Sequence, residues 1–273
     1  METDRIRKPV VAGQFYPADA LELSRQIKSF IDEKALKIDA IACMLPHAGY
    51  VYSGAVAGAT VSRVNVKERI ILLGPNHTGL GEPFSISSEG TWQTPLGEVQ
   101  IDSFLAKKIL GSSNFLKQDR LAHANEHSLE VELPFLQYFR KDIKITPIAF
   151  LSDDLVALKE IGKGIAKIII DEGLEKSTLI VASSDMTHYE TKAQAEKQDK
   201  EAISAILELN EDKLMERVKR LGISMCGYMP AIAMLSAVKG LGAKRAELIK
   251  YQTSGEVNKD YSSVVGYAGI IAY

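Results

Sequence analysis

The sequence is poor in the residues that most often advertise chemistry. Its 273 residues include two cysteines, five histidines and one tryptophan. So little cysteine excludes a disulfide-stapled secreted scaffold and a multi-finger zinc protein. Neither sign of charge dominates: 33 Lys and Arg stand against 35 Asp and Glu, a net charge of −2. That balance argues against a basic nucleic-acid footprint and against a highly charged disordered chain. No run of 18 or more apolar residues occurs, so no membrane span is expected. Residues 1–8 are polar and lack the apolar stretch of a signal peptide. A cytoplasmic location is therefore expected, with Cys43 and Cys226 as reduced thiols.

Common catalytic signatures are also missing. There is no G-x-x-x-x-G-K-[ST] loop and no G-x-G-x-x-G between a strand and a helix, so no nucleotide cofactor is expected. Gly162 and Gly164 fall inside a helical pattern that has no third glycine. No G-x-S-x-G elbow, C-x-x-C or H-E-x-x-H motif is present, which removes the nucleophile elbow and the commonest zinc patterns.

What is there is an alternation of short apolar runs and longer amphipathic ones. The pattern predicts helices over 18–33, 53–64, 128–139, 155–170, 192–209, 212–220 and 227–238. It predicts strands over 41–45, 69–73, 143–150, 178–182, 246–253 and 264–272, with smaller, antiparallel ones over 84–88 and 97–101. Pro134 should kink the helix at 128–139 or lie in its first turn. Nearly all-apolar strands such as 69–73 imply burial on both faces. These units predict an α/β fold with a mixed, mostly parallel sheet flanked by helices. No linker interrupts the chain, so 1–273 reads as one domain.

The histidines and cysteines fall in telling places. His47 follows the strand at 41–45, and His77, after Asn76, follows the strand at 69–73. A helix between them makes a β-α-β unit, so both strands end at the same sheet edge, where open α/β sheets bind ligands. If the two strands are neighbours, about 4.8 Å apart, both imidazoles reach one metal ion. Asp185 and His188 follow the strand at 178–182, and a carboxylate beside an imidazole can orient it and raise its basicity. Cys226 begins the helix at 227–238, where a helix N-terminus favours the thiolate. Each has a plainer reading: a loop histidine at the surface, a buried structural thiol, an aspartate capping a helix. His123 and His127 are spaced for one helix face, but a helix start with Glu130 and Glu132 in its first turns accounts for them equally well. His123 is expected at the surface, Cys43 in the core, and His127 stays open as a residue lining a pocket.

Taken together, the motifs resemble one family. They are PVVAGQFYP (9–17), PHAGY (46–50) with Ser53 and Gly54, LGPNH (73–77), TPLG (94–97), EHSLEVELP (126–134), SSDMTH (183–188) and MCG (225–227). In this order they resemble the Memo family (mediator of receptor-driven cell motility), in a prokaryotic-type member. The resemblance implies a fold similar to class III extradiol ring-cleaving dioxygenases, which hold Fe(II) with two His and one Glu. In the Memo family a Cys stands in place of that Glu. It further implies His47, His77 and Cys226 as metal ligands for Fe(II) or Cu, with zinc also suited to the donor set, and Asp185 and His188 as catalytic residues beside them. Phe15, Tyr16, Asn76 and His127 would line the pocket, with Phe15 where eukaryotic members tend to carry Trp. The implied partners are a small-molecule or peptide ligand and radical-SAM pathway proteins. A metal-dependent oxidoreductase is the leading expectation; a non-catalytic scaffold that keeps the pocket and a zinc hydrolase are the alternatives.

Overall fold

The computed structural model describes residues 6–273. Met1 to Arg5, on which the reading of a polar N-terminus partly rests, lie outside the described residues. The chain opens with β1 (Ile6–Arg7) and α1 (Ala20–Phe30), followed by β2 (Ala42–Leu45), α2 (Tyr50–Ser62) and β3 (Arg69–Pro75). Next come β4 (Phe84–Ile86), β5 (Thr91–Thr94), β6 (Gly97–Ile101), α3 (Ser103–Gly111), β7 (Lys117–Gln118) and α4 (Leu121–Ala124). Then α5 (Leu133–Phe139), β8 (Lys144–Phe150), α6 (Leu155–Asp171), β9 (Thr178–Ser183) and β10 (His188–Glu190) lead to α7 (Lys192–Leu207) and α8 (Glu211–Leu221). The chain finishes with α9 (Tyr228–Gly240), β11 (Ala246–Thr253), α10 (Gly255–Asn258) and β12 (Val264–Ala272).

The expected mixed, mostly parallel sheet is present. Its strand order is β1-β5-β6-β8-β3-β9-β2-β12-β10, with β11 on β12 and β4 on β8. From β6 to β2 every neighbouring pair is parallel. β12 then joins antiparallel to β2. Every residue of β2 and β9 is buried, as is β3 beyond Arg69. This burial explains the lack of alternating polar positions: helices cover both faces of the central strands. Among them, α9 packs on β3, β9 and β2, with α6 against α9, while α2 packs on β11 and β12.

Helix ends follow local side-chain chemistry. Asp19 caps α1, accepting from the amides of Leu21 and Glu22, and Asp154 caps α6 in the same way. Gly222 closes α8 in the left-handed region at φ 62°.

Three expectations need correction. The first is the order of strands. β9 lies between β2 and β3, so these two are not neighbours. A crossover helix returns the chain to the sheet, but it need not return it to the adjacent place. The second is the segment 128–139. Its helix starts only at Leu133, with Pro134 in the first turn, where a missing amide hydrogen costs nothing. Residues 128–132 form turns instead. The third concerns the small strands: β4 is antiparallel to β8 and β6 to β5, as expected, but β5 itself is unanticipated and the other edge of β6 runs parallel to β8.

Candidate metal centre

Each of three parallel strands delivers a site residue two positions beyond its end. His47 follows β2, His77 follows β3 and Asp185 follows β9, all at the same sheet edge. The middle strand carries no histidine there, so the outer two meet above its end. Their ring centroids are 5.2 Å apart, with the rings at 70°. Cys226 enters from the loop before α9. Gly227 makes that entry possible: a Cβ there would lie 2.2 Å from the Ser183 carbonyl oxygen. Only glycine lets the two backbones approach this closely.

One donor atom each from His47, His77 and Cys226 lies within 4.8 Å of the others. Cys226 Sγ is 3.3 Å from His47 Nε2. The opposite edge of each imidazole is already engaged. His47 Nδ1 meets Ser183 Oγ at 2.7 Å, and His77 Nδ1 meets Glu126 Oε1 at 2.9 Å. The Nε2 atoms are therefore the ones left for a ligand, and carboxylate or hydroxyl partners of this kind fix the tautomer of a metal-binding histidine. Two imidazole nitrogens and one sulfur, drawn from three separate elements, fit a first-row metal ion.

A second group, His77, Glu126 and His127, also brings its donor atoms within 4.8 Å. Here Glu126 is already committed. It is 1% exposed and accepts from the amides of His77 and Ser128 as well as from the His77 ring. It acts as an anchor for His77.

The family of the chain follows from its whole length. The family model described as Memo-like protein matches residues 7–271. The chain belongs to the Memo family. A MEMO1 family protein of Methanopyrus kandleri is 43% identical over 279 residues, covering 97% of this chain and 98% of the relative. One from Methanosarcina mazei is 44% identical over 268 residues (97% and 98%), and one from Aquifex aeolicus 42% over 269 residues (98% and 99%). Among solved structures, an uncharacterized protein of Escherichia coli K12 is similar in fold, with a TM-score of 0.55 at 13% identity, covering 83% of this chain and 98% of that one.

The catalytic pair expected in this Memo-family chain is arranged differently from expectation. Asp185 does not orient His188. Its carboxylate accepts from the His47 amide at 2.9 Å and so shapes the loop after β2. His188 is held by Ser224 instead, with Nδ1 3.0 Å from the Ser224 carbonyl. The next residue, Tyr189, sits at φ 61°, and the ladder between β10 and β12 shifts register here. A bulge of this kind re-aims a side chain at a strand end.

The residues expected to line a pocket divide into two kinds. His127 stacks on His77 at 4.7 Å and 23°, and Phe15 meets His127 edge-on at 5.0 Å. Tyr16 is buried and spends its hydroxyl on Glu130 at 2.6 Å. Asn76 is buried and closes its own loop, donating to Leu80 and accepting from Thr78. A cleft of about 380 Å³ lies elsewhere, beside Arg7, Trp92, His123 and Asn125, and none of the site residues borders it.

Two further expectations are overturned. His123 is not at the surface: it is 2% exposed, packed edge-on against Trp92 at 5.9 Å. The single turn of α4 lies under β1, where Arg7 donates to the His123 carbonyl. Glu130 and Glu132 are not helix-start acids either. Both are wholly buried. Glu130 accepts from Arg7, the amides of Val10 and Val11, and Tyr16. Glu132 Oε1 lies 2.8 Å from Ser183 Oγ. Cys43 lies in the core as expected, 1% exposed in β2.

The electrostatics follow from burial. Burial, then the neighbouring His77, His127 and His188, push His47 well below the ordinary histidine value, so its ring is neutral. Burial likewise lowers His188. The Cys226 thiol is pushed up by burial and by Asp185, opposite to the helix-terminus expectation. Asp185 is raised to about 7 by burial. Burial also raises Glu126, but the hydrogen bond and charge of His77, the Ser128 amide and His127 together bring it down to about 2.

Proposed function

We propose that this Memo-family chain holds iron or copper at His47, His77 and Cys226 for redox chemistry on a small molecule, with His188 moving protons. The observation that carries this reading is the convergence of three soft or borderline donors, from three elements far apart in sequence, within 4.8 Å. A bound iron or copper ion would supply Lewis acidity and one-electron chemistry at the sheet edge. The chain's own groups do the rest. Ser183 and Glu126 hold the two imidazoles with Nε2 free. His188 gives its Nδ1 to the Ser224 carbonyl, which leaves Nε2 to accept a proton, and burial keeps the ring neutral so that it can do so. His127 and Phe15 form an aromatic wall beside His77, against which a flat substrate could rest.

Anaerobic loading with Fe(II), Cu(I) or Zn(II), followed by dialysis and elemental analysis, tests the centre. Wild type should retain one of these ions stoichiometrically, and Cys226→Ala should lose affinity by at least about 10–100-fold, the size of effect seen when even supporting residues of such sites are removed. Equal and negligible retention by both proteins overturns the reading. Oxygen uptake with aromatic diols on the loaded protein then separates turnover from a pocket that only binds.

A further inference from the structure

Ser183 Oγ sits among three polar atoms deep in the sheet. It lies 2.7 Å from His47 Nδ1, 2.7 Å from the Ser128 carbonyl oxygen and 2.8 Å from Glu132 Oε1. All three separations are hydrogen-bond distances, and each needs a hydrogen between its two atoms. A serine hydroxyl brings one hydrogen and can accept two. A carbonyl brings none, so the Ser183 hydrogen belongs to Ser128. The other two must come from the partners. His47 then carries its hydrogen on Nδ1, and Glu132 is a carboxylic acid that donates to Ser183.

We propose that Glu132 is a neutral positioning residue which, through Ser183, holds His47 in its Nδ1–H form and turns its Nε2 lone pair toward Cys226. The alternative is an ionised Glu132 that accepts the Ser183 hydrogen. That would leave Ser183 Oγ and the Ser128 oxygen at 2.7 Å with nothing between them. It would also leave a charged carboxylate with one bare oxygen, because Glu132 Oε2 is buried without a hydrogen-bond partner. Burying a charge that way is far costlier than burying the carbonyl of a neutral acid. Burial and the nearby Asp185 push the Glu132 carboxyl well above the usual range, which agrees with the hydrogen count.

The inference deepens the reading of His47 as a ligand, and it is tested on metal-free protein so that the two can fail separately. Glutamate-specific ¹³C labelling distinguishes Glu132 from Asp185. At neutral pH the infrared and NMR signals of wild type should include one protonated glutamic acid, lost in Glu132→Gln. Long-range ¹H–¹⁵N correlation should show His47 protonated on Nδ1. Glu132→Gln should preserve that tautomer, because its amide can donate to Ser183 in place of the acid. Ser183→Ala should release it into a mixture of tautomers. Should the variants fail to fold, the wild-type spectra alone decide. Only ionised glutamates, or a His47 protonated on Nε2, would overturn the proposal.

Discussion

His47 and His77 occupy equivalent places, two residues past parallel strands, yet they are held in opposite ways. His47 is 2% exposed and reaches its carboxyl group through a hydroxyl. His77 has a side chain 33% exposed and touches its carboxylate directly. On one arm the proton inventory makes the carboxyl neutral; on the other, amide donors and the ring keep it ionised. The difference follows from depth. A charge can stand beside a half-exposed ring because water screens what the protein does not. Under a fully buried ring the same charge would have no such relief. A metal ion between the two would feel one ligand stiffened by a nearby negative charge and one held by neutral hydrogen bonds.

The contrast can be broken by mutation. Ser183→Ala should have the largest effect, roughly 3 kcal/mol of unfolding free energy, because it strips three buried partners at once. Glu126→Ala should cost less, about 2 kcal/mol, since water can reach the His77 ring and satisfy part of what is lost. Glu132→Gln should cost about 1 kcal/mol or less, as a neutral group replaces a neutral group. Urea unfolding at neutral pH measures all three. A Glu126→Ala loss larger than that of Ser183→Ala would reverse the ranking of the two arms.

The pH dependence should sharpen the same comparison with opposite signs. Glu126 lies near 2 in the folded protein against 4.5 ordinarily, so its contribution is present above pH 4.5 and disappears as the pH falls toward 2. Wild type and Glu126→Gln should therefore converge in stability across that acid window. Glu132 is raised, so its contribution is full below pH 4.5 and is lost as pH rises. Glu132→Gln should gain on wild type between pH 4.5 and neutrality. Parallel stability curves for wild type and either variant would remove the distinction.

Much of this architecture can be read from the residues, and some of it cannot. Apolar runs such as Arg69–Leu73 announce buried parallel strands because burial on both faces leaves no room for alternation. The positions of His47 and His77 just past apolar strands announce a shared edge, while Cys226 is joined to them by the family resemblance alone. What the pattern cannot show is which strands are neighbours. The crossover from β2 to β3 leaves a place for β9, and only tertiary packing records it. The glutamates of 126–132 misled for a related reason. Acidic residues ahead of a helix look like favourable partners for its dipole. Here the loop and turns of 126–132 point all three inward, each to a different structure: Glu126 to His77, Glu130 to the segment at 7–16, Glu132 to Ser183. Charged residues recurring in an otherwise apolar stretch, LEVELPFL, were the available signal.

The vacancy that β9 fills also has a consequence during synthesis. β2 and β3 are made early, and the strand that must separate them follows more than 100 residues later. Until Thr178–Ser183 exists, the edges of β2 and β3 that face it have no native partner. The nascent chain therefore has to keep a gap for a strand it has not yet made, and long-range closure of this kind is slow. Cys226 arrives later still. His47, His77 and Cys226 therefore coexist only late in synthesis, after every strand from β1 to β10 has been made.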